Sequence, residues 1–152
     1  MKILFICMGN ICRSPTVEAV ARVEFARHGL HIEVASAGTE GYHVGAGADP
    51  RAVAMAEAAG YPLGGHRARQ VADTDFSDFD HLLVMDRVNQ RALLDRAPPQ
   101  GRERVALFLP FAGISAPAEL PDPYYGTSCD FERALELARD GIMALVQRFD
   151  RS

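Results

Sequence analysis

Short apolar runs alternate with amphipathic segments along most of the chain. Ile3-Leu4-Phe5-Ile6 has no polar interruption, the pattern of a strand buried on both faces. A periodic segment follows from about Pro15 to His28, with Ala19, Val20, Val23, Ala26 and Leu30 on one predicted face and Gly29 ending it. His31 to Ala35 reads as a second strand, and Ser36 to Ala48 as a glycine-containing loop that carries Tyr42. Asp49-Pro50 is an N-cap followed by proline at the first helical position, predicting a helix that ends near Gly60. Tyr61 to Thr74 is a polar connection containing His66-Arg67-Ala68-Arg69-Gln70. Leu82 to Met85 is the third strand, and Asp86 caps a helix bearing Val88, Leu93 and Leu94 that Pro98-Pro99 stops. Val105 to Phe108 is the fourth strand, and Leu109 to Asp130 a long proline-containing loop. The final helix has the clearest period: Phe131, Leu135, Ala138, Ile142, Leu145 and Phe149 form one stripe, read as core packing.

Strand and helix in alternation imply an α/β fold, a four-stranded parallel sheet with helices on both faces in three layers. Ligands in such sheets bind beyond the carboxyl ends of the strands. A chain of 152 residues is expected to form one domain, 1–152, with a substantial core. No stretch reaches the uninterrupted apolar length of a membrane span. Met1-Lys2-Ile3 enters the first strand directly, so no signal peptide and a cytoplasmic location are expected. The formal net charge of −4 argues against nonspecific nucleic-acid binding, so any attraction for anions must be local. Cysteines stand only at 7, 12 and 129, without metal-ligand spacing, which disfavours a disulfide scaffold and a zinc site; no metal or cofactor is expected. Lys2 is the only lysine, which excludes the Gly-Lys-Ser/Thr phosphate loop of ATPases.

The chemistry concentrates between the first strand and the first helix, in Cys7-Met8-Gly9-Asn10-Ile11-Cys12-Arg13-Ser14. A loop this short can turn its N–H groups, with those of the helix start, onto one point, and the helix dipole adds positive potential behind them. Gly9 is expected to supply the tight backbone. Arg13 offers a planar fork for two phosphate oxygens, and Cys7 sits on the floor of the cradle, where the same field stabilises a thiolate. A thiolate nucleophile beneath a bound dianion is the apparatus for phosphoryl removal through a phosphocysteine. A general acid for the leaving oxygen is then needed. The candidate is Asp122, stiffened by Pro121 and Pro123 and followed by Tyr124 and Tyr125, whose rings offer flat apolar walls.

Cys7 to Pro15 resembles the signature of the low-molecular-weight protein tyrosine phosphatases, although Met8 stands where that family more often has a smaller or branched apolar residue. The resemblance runs from Lys2 to the final helix. It implies strand order 2-1-3-4 and a protein-tyrosine-phosphatase activity, with Cys7 as nucleophile, Arg13 as phosphate clamp and Asp122 as general acid and base. The substrate is expected to lie on Met8, Gly9, Asn10, Ile11, Cys12 and Arg13, between Tyr42, Tyr124 and Tyr125. Ser14, Asn10, Ser36 and His66 match supporting positions: a hydroxyl facing the thiolate, an amide that holds the loop, and a serine and histidine that brace it. Met85, Asp86, Asn89 and Leu93 also match and are read as packing and capping. Cys12 matches a redox position able to form a reversible disulfide with Cys7, and equally fits a small buried hydrophobe; Cys129 stays unassigned.

Three other readings compete. Arsenate reductases on this scaffold carry a downstream cysteine pair, and no cysteine occurs from Ser36 through Ser128. Protein-arginine phosphatases carry a small polar residue where this chain has Ile11. A silent phosphopeptide-binding module would be expected to lack Cys7 or Asp122. The expected partner is a phosphotyrosine protein or peptide, with a bacterial tyrosine kinase as a candidate, and a monomer is the default state.

Overall fold

The computed structural model describes residues 1–151. Lys2–Cys7 forms β1, Glu33–Gly38 β2, His81–Val84 β3 and Val105–Leu107 β4, a parallel sheet in the order β2-β1-β3-β4. The helices in chain order are α1 (Arg13–Arg27), α2 (Pro50–Ala58), α3 (Asp75–Asp78), α4 (Arg87–Arg96), α5 (Phe108–Ala112) and α6 (Ser128–Asp150), with a 3-10 segment over Pro99–Arg104. Side chains alternate across β1, so its uninterrupted apolar run serves two separate clusters. Ile3, Phe5 and Cys7 join α1, α2, α5 and α6 on one face; Leu4 and Ile6 join Phe76 of α3 and Leu93 of α4 on the other. The expected three layers and strand order are present.

α6 behaves as its period predicts. Phe131, Leu135, Ala138, Ile142 and Leu145 are all buried, and the larger of these side chains contribute about 1.5–3 kcal/mol each. Thr127 and Asp130 close a capping box at its start. Gly141 lies where α6 crosses α5, and a Cβ there would run into the Phe108 ring.

Four readings need correction. α1 begins at Arg13; of the expected face, Ala19 and Val20 are buried, Val23 and Leu30 partly buried against the core and Ala26 exposed, and the buried face also holds Val17, Ala21, Glu24 and Phe25. Glu24 hid the true stripe: a buried carboxylate that accepts from the Tyr61 hydroxyl at 2.7 Å and pairs with Arg27 reads as a solvent position in sequence. β2 lies at Glu33–Gly38, not His31–Ala35. Its Ser-Ala-Gly end has weak strand propensity, and pairing with β1 overrides that. Gly38 must also be small, because a Cβ there would stand 2.6 Å from the Met8 carbonyl oxygen. The stretch read as loop after the fourth strand contains α5, whose proline falls in its first turn, where the missing N–H costs little. α3 and the 3-10 segment were too short to give a period.

Candidate active site

β1 delivers Cys7 to the carboxyl edge of the sheet, and the chain turns through residues 8–12 into α1. Residue 10, not Gly9, takes the left-handed conformation, with φ +58° at Asn10, a conformation that asparagine tolerates better than most side chains. Gly9 instead makes room for the His43 ring packed over the loop: a Cβ there would lie 3.0 Å from it, and the ring would have to give by a few tenths of an ångström. No side chain caps α1 among the described residues, so its first N–H groups remain for an incoming anion.

The inward turn of the loop is held by a fully buried Asn10. Its amide nitrogen donates to Ser14 Oγ at 2.9 Å and to Ser36 Oγ at 3.0 Å, and its Oδ1 accepts from the Arg69 N–H at 3.0 Å. His66 Nε2 donates to the Asn10 carbonyl at 2.7 Å, and Ser36 donates onward to Glu18 at 2.5 Å. Ser14 Oγ lies 3.0 Å from Cys7 Sγ and 3.5 Å from the Ala37 carbonyl, and a Cys7 thiolate, which can only accept, draws the Ser14 proton to the sulfur. The Asn10 N–H points at the same sulfur from 3.3 Å. Two donors thus converge on the sulfur.

Arg13 is 4% exposed. Its Nη1 donates to Asp86 Oδ2 at 2.7 Å and to the Leu120 carbonyl at 3.0 Å. The guanidinium is therefore fixed, with its Nε–Nη2 edge as the fork it can offer an oxyanion. Nη2 lies 3.8 Å from Asp122 Oδ2. The Asp122 side chain is about half exposed on the opposite wall, and its Oδ1 accepts from the Tyr124 N–H at 3.1 Å. Tyr124 and Tyr125 meet edge to face, with ring centroids 4.8 Å apart.

Cys7, Met8, Gly9, Ile11, Cys12 and Arg13 thus form the floor of a cleft of about 350 Å³, walled by Tyr42, His43, Asp122, Tyr124 and Tyr125. Asn10, expected among the substrate-facing residues, lies behind the floor and reaches the site through its N–H on the sulfur. Cys7 and Cys12 are both buried thiols. Burial above all, then the charges of Asp49, Asp122 and Cys7, push the Cys12 thiol far above its ordinary value.

Sequence reasoning missed three contributors. Asp86 caps α4 through Oδ1, as expected, but its other oxygen holds Arg13. His43 covers the loop, and no motif signals a histidine beside Tyr42 in a glycine-containing segment. Arg51 reaches the Asp122-bearing loop from α2; its place two residues after the Asp49 cap is the one signal the sequence carries for it.

No cluster of metal-ligating side chains occurs among the described residues, and no helix there is long and apolar enough to cross a membrane.

Residues 2–152 match a family model described as low molecular weight phosphotyrosine protein phosphatase. The chain is 43% identical over 154 aligned residues to the low molecular weight protein-tyrosine-phosphatase of Streptomyces coelicolor, covering 96% of this chain and 93% of that protein. It is 40% identical over 135 residues to the low molecular weight phosphotyrosine protein phosphatase of Schizosaccharomyces pombe, covering 86% and 85%. Among solved structures, the protein tyrosine phosphatase of Entamoeba histolytica with Hepes in its active site superposes with a TM-score of 0.93 at 37% identity, over 99% of this chain and 97% of that one.

Proposed function

This chain belongs to the low molecular weight phosphotyrosine protein phosphatases, and from that premise we propose how its own residues divide the work of hydrolysing a phosphotyrosine ester. The phosphoryl dianion docks on the N–H groups of the 8–13 segment and on the Nε–Nη2 edge of Arg13. Cys7 attacks phosphorus as thiolate, in line with the ester oxygen. The P–O bond breaks, and the leaving phenoxide takes the proton carried by Asp122. Water then attacks the phosphocysteine, Asp122 takes its proton, the P–S bond breaks, and inorganic phosphate leaves. Ser14 and the Asn10 N–H stabilise the sulfur while it carries charge, before attack and after release. Tyr42, Tyr124 and Tyr125 flank the aromatic ring of the substrate.

One arrangement supports this reading most: a sulfur held by two donors on the cleft floor, and a carboxylate on the facing wall, 3.8 Å from the buried arginine between them. The arginine-phosphatase reading has less in its favour, because Ile11 brings an apolar side chain to the cleft. We further propose that the protein acts as a single domain, in the cytoplasm, as a monomer, on proteins phosphorylated by a tyrosine kinase. Turnover of phosphotyrosine peptide and p-nitrophenyl phosphate by purified protein tests the assignment. Cys7→Ser is expected to abolish release, and Asp122→Ala to lower it roughly 10²–10⁴-fold. Full turnover in Cys7→Ser would overturn the scheme.

A further inference from the structure

Asp122 stands in a segment pinned on either side. Before it, Leu120 donates its N–H to the Met85 carbonyl at 2.9 Å and accepts from Arg13. After it, Pro123 is buried, and the next residue is reached by a side chain from another element. Arg51 Nη2 donates to the Tyr124 carbonyl at 2.9 Å, and its guanidinium stacks on the Phe131 ring at 4.5 Å and lies 5.6 Å from the Tyr124 ring. Tyr124 in turn holds Asp122 Oδ1 through its N–H.

Arg51 is itself held at its other end. Its Nε and Nη2 form a two-point pair with the Asp49 carboxylate at 3.1 and 2.9 Å. The Asp49 N–H donates to the Ile11 carbonyl at 2.8 Å, within the phosphate-facing loop. A continuous path therefore runs from Ile11 through Asp49, Arg51 and Tyr124 to Asp122, joining the wall with the acid to the floor with the nucleophile. Only a planar fork can serve both ends at once, because Nη2 is shared between Asp49 and Tyr124.

We propose that Arg51 is a positioning residue that fixes the Asp122 carboxyl at the height of the leaving oxygen relative to Cys7. The inference rests on Asp122 being the general acid. Arg51 touches no substrate in this scheme; it sets the distance between the two reacting ends of the site.

The test is the dependence of kcat/KM on leaving-group acidity, across aryl phosphates from p-nitrophenyl to phenyl and p-methoxyphenyl. A well-placed acid matters most for the poorest leaving groups. Arg51→Met is expected to cost less than about threefold with p-nitrophenyl phosphate and about tenfold or more with p-methoxyphenyl phosphate, steepening the series in the same sense as Asp122→Ala. Arg51→Lys keeps the charge without the fork and is expected to follow Arg51→Met. In an Asp122→Ala background, Arg51→Met is expected to add less than about twofold, since no acid remains to be placed.

A uniform loss across the series, rescue by lysine, or an undiminished effect in the Asp122→Ala background would each overturn the proposal. The first two would mark Arg51 as a simple attractor of anions. Arg51 is about half exposed, and thermal midpoints of the variants within a few degrees of the parent separate misplacement from unfolding. If Asp122→Ala itself leaves the series unchanged, the acid assignment fails, and the strut with it. If Asp122→Ala steepens the series and Arg51→Met does not, the strut alone is wrong.

Discussion

Cys12 illustrates how far one side chain's setting departs from its sequence neighbourhood. It sits five positions from Cys7 inside the same loop, yet burial and three nearby negative charges keep it a protonated thiol. Such a thiol is a weak nucleophile, and oxidation of Cys7 to a neutral sulfenic acid removes only one of the charges that hold it protonated. Peroxide converts Cys7 to a sulfenic acid; the Cys12 sulfur can then displace hydroxide from it, giving a disulfide and water. Brief peroxide treatment followed by dithiothreitol is expected to restore most activity in the parent, and less than about a tenth in Cys12→Ser after the same exposure. Equal recovery in both would remove Cys12 from any protective role. The residue scale also shows what a sequence conveys. Cys7, Arg13 and Asp122, which line one cleft, were legible as candidates because they stand in two short motifs. Asp86 is legible only as a helix cap and Arg51 not as a site residue at all, because the contacts that matter cross to segments distant in sequence: Asp86 to Arg13, and Arg51 to Tyr124.

At the scale of elements, burial rather than propensity decided the outcomes. α6 is legible because its stripe is purely apolar; the phase of α1 is hidden because Glu24 interrupts its stripe. β2 was placed early because its paired end is Ser-Ala-Gly, whose reason for being small is the loop lying against it. Gly141 makes the same point as a prediction. In an exposed helix, glycine to alanine would gain about 1 kcal/mol. Here the added methyl meets the Phe108 ring, itself packed edge-on against Phe5 with centroids 5.7 Å apart, so the ring cannot easily yield. Overpacking of this kind costs about 1–3 kcal/mol, so Gly141→Ala is expected to be net destabilising in urea denaturation. A rise in the midpoint would mean that α5 shifts freely over α6.

For the molecule as a whole, the buried Tyr61–Glu24 contact ties the segment after α2 to α1. Burial first, and then the Glu24 carboxylate, push the Tyr61 phenol above its ordinary value of 10.0, while Arg139 near the ring opposes the rise. The folded state thus favours the neutral phenol. Its contribution is fully present below pH 10 and is lost as pH climbs through the raised folded value. Unfolding free energy is expected to fall as pH rises above about 10, and Tyr61→Phe to flatten that fall while lowering stability at pH 7 by about 1–3 kcal/mol, since Glu24 loses a donor. An unchanged alkaline slope in Tyr61→Phe would assign the fall to other groups.

The rigid seating of Arg13 has one more effect. A guanidinium already clamped by Asp86 and the Leu120 carbonyl surrenders little freedom when a tetrahedral anion arrives, and it does not ask what that anion was once attached to. Inorganic phosphate, sulfate and vanadate therefore find the same ready seat as the ester. Catalysis must proceed against occupancy by its own end product, and the ionic make-up of the surrounding medium sets how much of the enzyme stands vacant at any moment.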